Sequence, residues 1–181
     1  MKARAFDPRR LPVKAFAKDA GLLQGQWPLE GFERLRDLLA PVANATPVPV
    51  TWAVRGEDRA VRGGASQTWL HLESRAVLSL VCQRCLQPSE HVVELDRHFL
   101  FARDEAEAAR LDEEIDDEVL VMARELDLHE LLEDELLLDL PLVPRHDSCA
   151  PPRVVDDAAA SEPVSAEHPF AALAALRRTQ G

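Results

Sequence analysis

The sequence has no tyrosine, and aromatic residues make up only 5% of it. Base-stacking platforms need several rings interleaved with basic residues, so a direct reader of single-stranded nucleic acid is not expected. No window approaches the roughly 18 uninterrupted apolar residues of a membrane-spanning helix. The charged start, Met1 to Arg10, leads into no apolar run of signal-peptide length, so a cytoplasmic location is expected. The 7 glycines show no period, which excludes a collagen-like chain. The 3 cysteines, an odd number, argue against a disulfide framework and leave metal binding, redox chemistry or inert burial. The chain also lacks an HExxH helix, a nucleophile elbow, a glycine-rich phosphate loop and a calcium loop. No enzyme active site is visible.

Positive charge is scarce as well. The 21 Lys and Arg stand against 32 Asp and Glu, for a net −11, so the molecule as a whole repels a phosphate backbone. The imbalance is uneven. Residues before Asp104 carry 15 basic and 11 acidic side chains, net +4, whereas those from Asp104 onward carry 6 and 21, net −15. Such asymmetry fits either a charged partner or a solvated acidic loop.

What is present is enough for a core: 181 residues, 46% of them hydrophobic. One domain is expected over residues 1–149, with a linker and a short terminal helix over 150–181. Residues 1–28, with Pro8, Pro12 and Pro28, have no clean period and read as an extended N-terminal arm. Phe32, Leu35, Leu38 and Leu39 recur at helical spacing within Leu29–Ala40, and Pro41 stops the run. Three alternating segments come next. Val48, Val50, Trp52 and Val54 share one face of the first. Leu70, Leu72, Ala76, Leu78, Leu80 and Cys82 share one face of the second. Val93, Leu95, Phe99 and Phe101 share one face of the third. Period two in consecutive segments predicts an antiparallel meander with one wet face, and leaves open whether it curls toward a barrel.

Asp104–Glu118 holds nine acidic residues and reads as a solvated loop, with Val119–Met122 a short strand returning to the sheet. Asp127-Leu-His-Glu130 has capping-box form and starts a helix that Pro141 ends near Leu140. Its buried stripe is Leu128, Leu131, Leu132 and Leu136, with Glu133, Asp134 and Glu135 facing water. Ala150–Glu167 reads as a flexible linker, and Pro169–Arg178 as a short amphipathic helix. The fold class expected is α+β.

Cys82-Gln-Arg-Cys85 is the sharpest chemical feature. Two thiolates at this spacing in a tight turn can face one tetrahedral zinc, and His146-Asp-Ser-Cys149 supplies a second pair at the same spacing. A zinc site of Cys82, Cys85, Cys149 and His146 is therefore available by arithmetic. A redox dithiol needs its first sulfur at a helix N-terminus, and here the motif ends a strand pattern. Unligated cysteines are the third reading. Arg75, Arg84 and Arg97 suggest a modest basic patch near the same hairpin, while the six histidines look scattered.

Three blocks carry a family resemblance: Val81-Cys82-Gln-Arg-Cys85-Leu86 at the end of an apolar strand, the block LDLHELLEDELLLDLPLVPRHDSC from Leu126 to Cys149, and HPFAALAALRR from His168 to Arg178. In this order they resemble the YceD family, the large ribosomal RNA subunit accumulation proteins. The resemblance implies a non-catalytic factor in the synthesis, processing or accumulation of large-subunit ribosomal RNA. Some relatives look as though they hold further cysteines after the Pro-x-x-Pro segment, in zinc-like spacing. In this chain Cys149 stands there with His146. Together with the acidic later half, the resemblance implies an adaptor for ribosomal or RNA-processing proteins that meets the RNA indirectly, with neither membrane nor DNA as partner. The competing reading is a thiol or zinc-dependent redox protein centred on Cys82 and Cys85.

Overall fold

The computed structural model describes residues 5–42 and 48–152. The linker and terminal helix expected over 150–181 lie almost wholly outside the described residues. The chain divides into two units, Met1–Ala150 and Pro151–Gly181, and every helix and strand described belongs to the first.

Its frame is one five-stranded sheet, in the order β1 (Leu22–Trp27), β2 (Val50–Arg59), β3 (Gln67–Val81), β4 (Pro88–Ala102) and β5 (Glu118–Val121). The first four strands form an antiparallel meander, while β5 lies parallel to β4 with Phe99 opposite Glu118. The sheet stays open, so the α+β expectation holds without closure into a barrel. A parallel partner needs a crossover, and the helix α3 (Glu105–Asp112) supplies it.

Alternation decides what the sheet buries. Along β3, Leu70, Leu72, Ala76, Leu78 and Leu80 turn to one face and are buried with Val50, Val54, Val93, Leu95 and Phe99. This face is covered by α1 (Val13–Lys18), α2 (Glu33–Arg36) and α4 (Leu128–Leu138), through Phe16, Leu35, Leu132 and Leu136. Each fully buried leucine contributes about 1.5–3 kcal/mol of transfer free energy. On the opposite face Trp69, Leu100 and Ala102 form a smaller core with Ala108 and Leu111 of α3. The rest of that face is open to solvent.

Four expectations need correction. The N-terminal arm is not extended. It forms a 3-10 turn at Pro8–Arg10, then α1, then β1, which pairs with β2 from Leu22↔Arg55 to Trp27↔Val50. The helix read over Leu29–Ala40 breaks into a 3-10 turn at Leu29–Gly31 and the single turn of α2, since Phe32 is extended between them. The acidic segment 104–118 is a loop only over 113–117: Asp104 accepts from the Glu107 amide at 2.8 Å and caps α3, whose Ala108 and Leu111 are buried. Glu133 and Glu135 do not face water; both are buried. Glu133 accepts from the amides of Arg34 (2.8 Å) and Leu35 (3.1 Å), capping α2 from a distant helix, and its other oxygen meets the Arg34 side chain at 3.1 Å.

One glycine is required by close approach. A Cβ at Gly56 on β2 would stand 2.6 Å from Phe16 Cδ1 and 2.8 Å from the backbone Cα of Ala17. The α1–sheet contact is thus made backbone to backbone.

Candidate metal centre

The 15-residue strands β3 and β4 end together, Val81 opposite Pro88, and the turn between them carries Cys82 and Cys85. Cys82 N donates to Gln87 O and Leu86 N to Cys82 O, both at 2.9 Å, and Leu86 takes a left-handed φ of 62°. This tight closure points the two thiols to the same side. The chain leaving α4 returns to the turn, where Gln83 N donates to Pro144 O at 2.9 Å. That contact delivers His146 and Cys149.

The four residues expected to be ligands come together, with their ligand atoms all within 4.8 Å of one another. Cys82 Sγ and Cys149 Sγ are 3.8 Å apart, and Cys85 Sγ is 3.3 Å from His146 Nδ1. A tetrahedral zinc with bonds of about 2.3 Å to sulfur has S···S edges of about 3.8 Å, whereas a disulfide needs about 2.05 Å. The sulfurs therefore stand at ligand spacing and not at bonding distance. His146 Nε2 donates to the Pro88 carbonyl at 2.9 Å, which fixes the tautomer and frees the Nδ1 lone pair for the sulfur side. Cys82 is fully buried, and Cys85, His146 and Cys149 are half-buried.

The electrostatics set the thiols of the cluster apart. Burial pushes the Cys82 thiol up, but the backbone N–H groups of Cys85, His146 and Arg84 overcome this and hold it at about 5. For Cys149 burial acts first, and hydrogen bonding and negative charge from Cys82 and Cys85 add to it, pushing the thiol up to about 11. The Cys82 thiolate is favoured here and a Cys149 thiolate is resisted. A dication removes that conflict, so three cysteines and one histidine could hold a metal in a closed, four-ligand arrangement of structural type.

The other sequence candidates do not join this cluster. Arg75 pairs with Glu94 at 3.0 Å, and Arg97 pairs with Asp139 at 2.9 Å and lies 3.4 Å from Glu135. The expected basic patch is thus neutralised apart from exposed Arg84. His129 is buried and stacked on Phe32 at 4.1 Å, and burial lowers its pKa, so it serves the core. His168 lies outside the described residues. No helix among the described residues is long and apolar enough to cross a membrane.

No solved structure matches the chain. A family model described as the large ribosomal RNA subunit accumulation protein YceD matches residues 70–177, more than half of the sequence. The match begins in β3 and takes in all four residues of the cluster.

Proposed function

The chain belongs to the YceD family, and from that premise we propose that it acts in the cytoplasm as a non-catalytic factor in the synthesis, processing or accumulation of large-subunit ribosomal RNA. In this reading it is an adaptor. Its acidic portion captures a basic ribosomal or RNA-processing protein, and the RNA is reached through that partner. The observation that carries the adaptor reading runs from α3 through the following turn to the start of β5. Glu105, Asp112, Glu113, Asp116, Asp117 and Glu118 are all exposed there and form no ion pair among the described residues. Six uncompensated carboxylates on one short stretch attract a polycation over about 10 Å at moderate salt and repel RNA phosphates.

The cysteine–histidine cluster supports the same reading as a clip. Zinc held by Cys82, Cys85, His146 and Cys149 would tie the segment after α4 to the β3–β4 turn. All coordination positions would be filled, which leaves no open position for chemistry. The redox alternative has less support, because Cys82 and Cys85 lie in a strand-to-strand turn and not at a helix N-terminus.

The test replaces Glu105, Asp112, Glu113, Asp116 and Asp117 by Gln or Asn, leaving Ala108 and Leu111 in place so that the smaller core survives. The variant should lose capture of basic ribosomal proteins at low salt and lower the level of large-subunit RNA in cells. Unchanged capture together with unchanged RNA levels would remove the adaptor reading.

A further inference from the structure

His71 and His98 belong to no motif in the sequence, yet they are register partners on β3 and β4. Their rings stack 4.1 Å apart, 6° from parallel. Asp96 precedes His98 by two residues and so projects from the same face of β4. Its Oδ1 lies 2.7 Å from His71 Nε2. One nitrogen of each ring and a carboxylate oxygen of Asp96 stand within 4.8 Å of one another. All three belong to the sheet face opposite α1, α2 and α4, next to the part that α3 covers, and the Asp96 side chain is 72% exposed.

We propose that His71, His98 and Asp96 form a second cation site, taking a divalent transition ion of the zinc class with part of its coordination sphere open to solvent. Two imidazole nitrogens with one carboxylate oxygen suit zinc, nickel or copper, and are too poor in oxygen for calcium or magnesium. The paired strands already hold both backbones in register, and binding has to turn at least one imidazole out of the parallel stack so that both in-plane lone pairs meet one ion. The Asp96–His71 contact has to open from 2.7 Å to about 3.3 Å, the edge expected between two donors each about 2 Å from one ion. Asp96, at the solvent side, is free to make that adjustment. Arg55 lies opposite His71 on β2 and, in the next row of the same face, Glu73 lies opposite Asp96, so these two neighbouring charges offset. Three protein donors leave at least one position for water or for a donor from another molecule.

This site is independent of the cysteine cluster. His71 and Cys82 are separated by eleven residues of extended chain, a strand path of about 36 Å. The two can therefore be told apart by counting. Zinc is titrated by calorimetry into the full chain and into a His71→Ala, His98→Ala double variant, with far-ultraviolet circular dichroism to confirm the fold. The variant should bind one equivalent fewer than the parent, whatever the cysteines do, and Asp96→Asn should weaken that equivalent by about tenfold or more. In the parent, zinc should shift the imidazole nitrogen resonances of His71 and His98 together. Equal stoichiometry in parent and double variant overturns the proposal. If the double variant does not fold, unmoved His71 and His98 resonances at saturating zinc overturn it on the parent chain alone.

Discussion

Cys82 and Cys149 are 67 positions apart in the chain, yet their sulfurs are 3.8 Å apart in the fold. That spacing matches two corners of a zinc tetrahedron and excludes a formed disulfide.

The purified chain should therefore carry zinc that a strong chelator removes. Removal should lower the melting temperature by about 10 °C, since a domain of this size shifts about 2–4 °C for each kcal/mol and a structural zinc contributes several. Cys82→Ser and Cys149→Ser should each show the loss without chelator, while His146→Cys should retain the ion. Metal analysis alongside calorimetry checks this, and a melting temperature indifferent to chelator would count against the clip.

Glu133 and Glu135, two residues apart on α4, should respond to acid with opposite signs. For Glu133 burial pushes the carboxyl up, but the Leu35 amide, the Arg34 side chain and the Arg34 amide prevail and hold it below the usual range. Its stabilising contribution is present above the unfolded value of about 4.3 and is lost as pH falls through the lower folded value. For Glu135 burial, helped by Glu118, raises the carboxyl despite Arg97. Its cost is present at neutral pH and is relieved as pH falls through the raised value. Glu133→Gln should lose about 2 kcal/mol near neutrality, with the deficit shrinking in acid. Glu135→Gln should lose little or nothing near neutrality. Urea denaturation across the acidic range reads both.

Gly56→Ala should lose at least about 2–3 kcal/mol, because the added methyl meets the backbone of Ala17 and not only a movable side chain. Urea denaturation with an unchanged m-value would place the loss in the native packing.

Leu86 is exposed and left-handed, a conformation that costs a leucine about 1–2 kcal/mol. Leu86→Gly should raise stability by up to about 1 kcal/mol, after glycine's own entropy cost. Zinc content should be unchanged. A destabilised or zinc-poor variant would show that the leucine side chain itself holds the turn.

The parts of the fold readable in sequence are those where one local rule acts alone. Leu70, Leu72, Leu78 and Leu80 alternate because one wet face and one dry face require it, and Asp127 signals α4 because its carboxylate accepts from the His129 and Glu130 amides. The α3 helix was hidden. Nine carboxylates between 104 and 118 outweigh its two inward residues, Ala108 and Leu111, although Asp104 three residues before Glu107 was a usable capping signal. Strand direction was also hidden, because the pattern of β5 is the same whether it runs with or against β4. The donor types of the cysteine cluster were readable, but their meeting was not, since it depends on Pro144 docking on the turn. His71 and His98 became partners only through register, which no single strand encodes.

The separation of the two ligand pairs has a consequence for how the molecule comes into being. A ribosome making this chain releases the β3–β4 turn with two thiols long before His146 and Cys149 emerge. Any ion that arrives early meets half a nest and can leave again. Firm retention would begin only once the segment after α4 has folded back, so a bound metal would act as a stamp of completion on the finished unit.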